Sequence, residues 1–518
     1  MPRRRIAAAV IPESAGPILP PSAPIAGAAA ASVRLDAWVF AVGAANVLHA
    51  LVFAWLYPEQ RFDPDLMAYL VYFRNWLTGD TSLFGIPYFM HPKALLVFGL
   101  GPLGSASAAF YCTAIASAAL GTLVYLISRD HFGRSTALLV SAFLLIDPSK
   151  AFLTLKSSAD LYVALFLFAA IWLCDRRRLL PAAICVLLSA LVKPVTLPCA
   201  AYFLIADGGG RRRWLAAAVP LLAVPLTLWS NQVLLGSVHG TDRFFEEFTT
   251  LRGGESVGPE SVLHFALWTQ LIKQERFAAT AAWGVVGILM WLAGDRRRLT
   301  SPLFLMPLLF LGGFFLLSLV SRFMPYFRFF WTLEIWFLVF LVYGVLEGAR
   351  RLSGPHRWLR VAIAGFTLGL LADAGIGRHL DYRRDIAMVF ERGMAFAAAA
   401  EPTLRAQRGS DQSLLTPLGL LPYLMWEFPE IGRAHRLEIA ERSALERPAE
   451  YPDWILYVPL LYASTAAQQW VPELIREGAY EVRAADGEAA LLARPQIARG
   501  SGEPAHGDSG RRAAEVAQ

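Results

Sequence analysis

Residues 61–93 read RFDPDLMAYLVYFRNWLTGDTSLFGIPYFMHPK, and the rest of the chain is organised around them. The stretch follows the first hydrophobic run and places two carboxylates, Asp63 and Asp65, just outside it. An apolar, aromatic-rich segment at 66–77 comes next. It is too short to cross a bilayer, whose hydrocarbon core takes about 20 apolar residues in helix. Tyr69, Phe73 and Trp76 fall on one face of that segment, which predicts a helix lying in the membrane interface. Arg74 interrupts it and is placed to pair with a carboxylate or a phosphate. A glycine turn at Gly79 and a corner at His91-Pro92-Lys93 lead the chain back to the membrane. Carboxylates and cations thus return to one surface, which reads as the floor of a site for ions or lipid-linked molecules.

The surrounding sequence supplies the membrane. The chain has 518 residues, of which 56% are hydrophobic and 17% charged, and a soluble domain of that composition would expose large apolar patches. Apolar runs at 35–56, 105–128, 135–146, 161–174, 179–192, 194–206, 214–235, 277–293, 299–320, 330–346 and 361–374 predict about eleven transmembrane helices. The net charge of +6 is carried largely by arginine clusters between these runs. They are Arg129 with Arg134, Arg176-Arg177-Arg178, Arg211-Arg212-Arg213, Arg296-Arg297-Arg298, and the stretch 350–360. By the positive-inside rule these clusters and the N-terminus are cytoplasmic. Residues 57–93, 147–160, 237–275, 321–329 and everything after 375 then face outward, as in a multi-pass protein of a cytoplasmic (inner) membrane. Two short pairs, 135–146 with 161–174 and 179–192 with 194–206, leave open whether either is a re-entrant hairpin. The basic clusters come with no zinc-finger spacing or RNA-binding signature, so no nucleic-acid partner is expected. Cys112, Cys174, Cys185 and Cys199 all sit inside apolar runs and read as small buried hydrophobes.

Four regions follow. Residues 1–33 begin MPRRR, continue rich in Ala and Pro, and read as a disordered cytoplasmic tail. Residues 34–375 form the membrane module. From 376 to 496 charges become dense and mixed. A helix is expected at 386–400 and a buried strand at 451–459, YPDWILYVP. A hairpin is expected at 480–494, turning on Ala484-Ala485-Asp486-Gly487. This is a small α/β domain outside the membrane. Residues 497–518 read as a disordered tail. The fold class is an α-helical polytopic membrane protein with a small C-terminal α/β extracytoplasmic domain.

The opening stretch resembles the first extracytoplasmic loop of the GT-C superfamily of glycosyltransferases. Its members include protein O-mannosyltransferases, the aminoarabinose transferase of lipid A and mycobacterial arabinofuranosyltransferases. The resemblance rests on Asp63-Pro64-Asp65 after the first span, on Phe73-Arg74-Asn75 with Gly79, and on His91-Pro92. It continues in Asp147-Pro148, in Lys156-Ser157-Ser158-Ala159-Asp160, in Leu191-Val192-Lys193-Pro194 and in the small C-terminal domain. It spans roughly residues 35–495. The resemblance implies GT-C architecture and a polyprenyl-phosphate-linked sugar as donor. It implies a hydroxyl on a glycan, lipid or protein as acceptor, and transfer at the periplasmic face.

The residue types suit that chemistry. Inverting transfer from a lipid phosphate needs one general base for the acceptor hydroxyl. The departing phosphate needs cations more than protons. A glycosidase would instead need a second carboxylate at a set separation. Asp63 matches the leading acid of the family motif and is the candidate base. Asp65 is its partner or a metal ligand, and the spacing of the two leaves a divalent cation, Mg or Mn, open. Candidate substrate-binding residues are Arg322 and Arg328, with Tyr326 between them, together with Arg74, Lys93 and Lys156. His91 is placed to orient the base or the sugar. Asp160 opens a span, and Glu334 lies inside one, where a carboxylate is functional by default. Lys150 is a further candidate cation for the phosphate, and Asp147 or Asp160 is a further candidate ligand should a metal bind. Two other readings remain: a transporter or flippase of lipid-linked sugars, and a GT-C-like envelope scaffold without activity.

Overall fold

Every one of these apolar runs folds as helix in the computed structural model of the protein. It describes residues 37–56, 64–80, 93–206, 210–236, 275–321, 330–353, 356–382, 388–406, 412–417, 420–439, 452–458, 465–487 and 489–495. The first part of the membrane module comprises α1 (Ala37–Leu56), α2 (Pro64–Thr78), α3 (Ala94–Leu100), α4 (Ala106–Phe132), α5 (Arg134–Ile146) and α6 (Pro148–Leu155). The long hairpin of α7 (Ala159–Asp175) and α8 (Leu179–Val192) follows. Then come α9 (Tyr202–Ile205), α10 (Arg211–Ala218), α11 (Ala223–Leu235), α12 (Glu275–Leu292), α13 (Pro302–Ser321), α14 (Trp331–Ser353) and α15 (Arg357–Tyr382).

Among the described residues, four stretches are long and apolar enough to cross a bilayer: Ala37–Leu56, Ala106–Phe132, Arg211–Leu235 and Trp331–Ser353. A fifth is added if α5 and the helix after it, bent by 61°, count as one. The remaining apolar helices are shorter, so helix is general while the number of full spans is not set by length alone. Local chemistry explains the breaks. Gly133 adopts φ +88 and separates α4 from α5. Asp147 and Pro148 end α5 and start α6, with the Asp147 carboxylate accepting the Ser149 N–H at 3.0 Å. Pro194 and Pro198 each remove a backbone donor, and 194–201 winds as a 3-10 helix before α9. Helices α12 and α14 meet at glycine: a Cβ on Gly287 would lie 2.0 Å from the Phe340 carbonyl oxygen.

α2 departs from expectation. A helix lying in the interface should keep one face in water, yet Leu66 through Tyr72 are all at most 2% exposed. Its partners include α3, the turn Gly101–Leu103, α4, α11 and a helix of the C-terminal domain, α17 (Leu421–Glu427). That domain supplies the covering that a free interfacial helix would lack.

The C-terminal domain begins with α16 (Met388–Ala406), over the expected helix. It also contains α17, α18 (Pro429–Ala434) and α19 (Thr465–Arg476). Its sheet has the order β2-β1-β3-β5-β4. The strands are β1 (Gln412–Thr416), β2 (His435–Ile439), β3 (Trp454–Tyr457), β4 (Glu481–Asp486) and β5 (Ala489–Ala493). β1 runs parallel to β2 and β3, while β3, β5 and β4 are antiparallel. β3 is wholly buried, as its apolar run requires. The hairpin forms, but its turn is tighter than expected: Ala484 and Ala485 pair with Leu491 and Ala490, and Gly487 takes φ +58.

Candidate functional site

The α7–α8 hairpin has two chemically different ends. Arg176, Arg177 and Arg178 turn one end. At the other, the N-terminus of α7 meets the C-terminus of α8, and Asp160 forms an ion pair with Lys193. The neighbouring helices share this polarity. α4 runs toward Arg129 and α14 toward Arg350 and Arg351, while α5 begins at Arg134 and ends at Asp147. The far end of each therefore lies with Asp160.

Buried polar groups gather at that far end. Asp147 is 4% exposed and accepts the Trp331 indole N–H at 2.9 Å, which ties α5 and α6 to the start of α14. Lys150, one helical turn on, is fully buried. Asp147 is the carboxylate close enough to bear on its charge. Among the described residues the Lys150 Nζ has no hydrogen-bond acceptor. Glu334 is buried one turn beyond Trp331. Buried charge in a bilayer protein is costly unless it is paired or lines a pathway.

The elbow between α6 and α7 shapes the Asp160 site. Ser157 is buried with φ +48, a left-handed conformation that costs an L residue on the order of 1–2 kcal/mol. Thr113 Oγ1, on α4, lies 2.8 Å from both Ser157 Oγ and the Tyr162 hydroxyl. Ser158 then caps α7, accepting the Asp160 N–H and donating to Asp160 Oδ2, both at 3.3 Å. Hydroxyls of Thr113, Ser157, Tyr162 and Ser158 thus gather at the elbow beside Asp160, whose carboxylate pairs with Lys193 at the end of α8.

α2 joins the same end through Gly101, just before α4, where a Cβ would meet Phe73 Cβ at 2.3 Å. Asp65 is buried in the first turn of α2, where the helix dipole favours a carboxylate. Arg74 reaches the C-terminal domain: its guanidinium donates to the Met425 and Trp426 carbonyls and lies 5.2 Å from the Trp426 ring centroid. It closes the last turn of α17, where a cation is favoured by the exposed carbonyls. In the same helix, burial and then the neighbouring Glu427 push the Tyr423 phenol up, so it stays neutral.

The other expected residues divide. Lys156 holds its ammonium 4.1 Å from the Phe152 ring centroid. Lys93 precedes α3, and its carbonyl accepts the Leu96 and Val97 N–H groups at 2.7 and 2.9 Å. Asp63, His91, Arg322, Tyr326 and Arg328 lie outside the described residues. Among the described residues no group of three or more His, Cys, Asp or Glu gathers to hold a metal ion. Sequence reasoning had no part for Trp331, Thr113 or Tyr162. Hydroxyls and indoles inside apolar helices carry no spacing signal. Lys193 stood in a family-like motif, but its partner is 33 positions away.

No protein-family model matches the chain, and no curated protein matches it. Among solved structures, ArnT from Cupriavidus metallidurans bound to undecaprenyl phosphate is 15% identical, with a TM-score of 0.47 over 88% of this chain and 98% of its own. The same protein in the apo state is 14% identical, with a TM-score of 0.49 over 90% and 99%. The Archaeoglobus fulgidus oligosaccharyltransferase in complex with zinc and sulfate is 16% identical, with a TM-score of 0.42 over 76% and 62%.

Proposed function

We propose that the protein is an inverting glycosyltransferase of GT-C type. It moves a sugar from a polyprenyl-phosphate donor to a hydroxyl of a glycan, lipid or protein acceptor, at the periplasmic face of an inner membrane it crosses about eleven times. The observation that carries the reading is the end of the bundle opposite the arginine clusters. There Asp147, Lys150, Glu334 and Asp160, which pairs with Lys193, are buried, and α2, with Asp65 in its first turn, packs at Gly101 just before α4. Charges kept this far from water need a polar ligand or a partner to justify their desolvation.

In this reading Asp63 takes the proton from the acceptor hydroxyl while Asp65, held at the start of α2, sets the loop that presents it. The acceptor oxygen bonds to the anomeric carbon as the bond from that carbon to the phosphate oxygen breaks. The phosphate keeps the electron pair and leaves as an anion. Lys93, Lys156, Arg322 and Arg328 supply its counter-charge, with Tyr326 and His91 orienting donor and sugar. Asp160 and Glu334 fix the cations that face the lipid phosphate, and Arg74 holds the first loop against α17. A proton-transfer group of this kind is worth about 10²–10⁴-fold in rate.

The test is transfer by purified protein in bilayers, offered mannose, glucose, arabinose and galactose on polyprenyl phosphate. Wild type should transfer one of them, and either Asp63→Asn or Asp65→Asn should abolish turnover while donor binding persists. Folded protein that neither transfers nor binds any of the donors would replace this reading with the transport or scaffold one.

A further inference from the structure

We propose that Thr113, Ser157 and Tyr162 form a positioning set that holds the Asp160–Lys193 pair in place for the donor phosphate; this rests on the function proposed above. None of the three has a charge to offer a ligand, and all are buried. Their arrangement is nevertheless specific. The Thr113 hydroxyl sits between Ser157 Oγ and the Tyr162 hydroxyl, at 2.8 Å from each, and also lies 3.0 Å from the Ala109 carbonyl of its own helix. It thereby bonds three separate points: α4 itself, the elbow and the first turn of α7.

What these bonds hold is a backbone that resists being held. Ser157 has φ +48 without being glycine, and such conformations persist only where the surroundings over-determine them. The next residue, Ser158, caps α7 and bonds Asp160, and Asp160 holds the Lys193 ammonium. A rotation at Ser157 would carry Ser158 and the first turn of α7 with it, and so shift the carboxylate that fixes Lys193. Lys193 keeps 15% of its side chain exposed against 5% for Asp160, so the cation is the member of the pair that a ligand can reach. The set acts on the reaction only through Asp160.

The experiment compares wild type, Thr113→Val, Thr113→Ser and Ser157→Gly in bilayers, reading kcat, KM for the lipid donor and thermal stability. Ser157→Gly is the sharpest variant, because glycine relieves the backbone conformation while removing the hydroxyl. Its stability should hold or rise while kcat falls several-fold. A purely structural role would move the two together and would overturn the proposal. Thr113→Val should lower kcat about tenfold, the effect of one buried hydrogen bond. Thr113→Ser, which keeps the hydroxyl, should restore most of it. Thr113→Val and Ser157→Gly both within twofold of an active wild type would also overturn it.

A second measurement does not depend on turnover. The rate at which an amine-acylating reagent labels Lys193, followed by mass spectrometry, should rise in Thr113→Val and Ser157→Gly toward the rate in Asp160→Asn, where the pair is broken. Unchanged labelling would overturn the positioning role. Absence of transfer by wild type with altered labelling would instead count against the glycosyltransferase reading and leave the positioning intact.

Discussion

The two ends of the helical bundle carry charges of the same kinds and treat them in opposite ways. At the arginine end Asp130 bonds Arg129 and Arg176 at 2.9 and 2.8 Å, His131 meets Asp175 at 2.9 Å, and Glu347 bonds Arg350 and Arg351. These side chains keep contact with solvent, up to 55% for Arg350 and Arg351. At the opposite end Asp147, Lys150, Asp160 and Glu334 are all buried. Solvated pairs are cheap and nearly interchangeable. Desolvated charges are costly to keep, and a fold that collects them has a use for their position.

The contrast can be broken by substitution, read as thermal stability in one detergent. Lys193→Met leaves Asp160 buried without its cation and should cost about 3–5 kcal/mol, with the double variant Asp160→Asn/Lys193→Met recovering much of the loss. Recovery of none of it would mean that the pair itself is not what stabilises this corner. Trp331→Phe removes the indole donor to Asp147 and should cost roughly 1.5–3 kcal/mol, as for a hydrogen bond to a charged group. Arg74→Ala should cost about 1–2 kcal/mol, having lost two carbonyl contacts and the face of Trp426. Arg176→Gln, at the arginine end, should change stability by less than about 1 kcal/mol and by still less in high salt. If Arg176→Gln cost as much as Lys193→Met, the distinction between the ends would be lost.

Much of this architecture was legible in the residues because the signals were local. Apolar runs announce helices, and Asp147-Pro148 and Ser158-Ala159-Asp160 announce the caps that begin α6 and α7. The buried strand at Trp454 and the hairpin that follows it carry their own patterns. Contacts between distant segments were not legible. Nothing near Leu66–Tyr72 says that both faces are covered, because the covering helix lies some 350 positions later, as the separation of Arg74 from Met425 shows. The parallel strands β1 and β2 are five residues each and lack a turn between them to betray their pairing. The partners of Thr113 and Lys193 belong to the same class of information.

The grip of Arg74 on the end of α17 has a consequence for how the molecule is made. Helices enter a membrane in the order of synthesis, and α2 leaves the ribosome some 350 residues before its covering at Met425 and Trp426. A nascent chain halted before residue 421 has already delivered its membrane helices, yet α2 still lacks the α17 partner. Completion of the packing around α2 therefore waits on synthesis of α17, so an immature chain in the membrane carries this surface in an unfinished form.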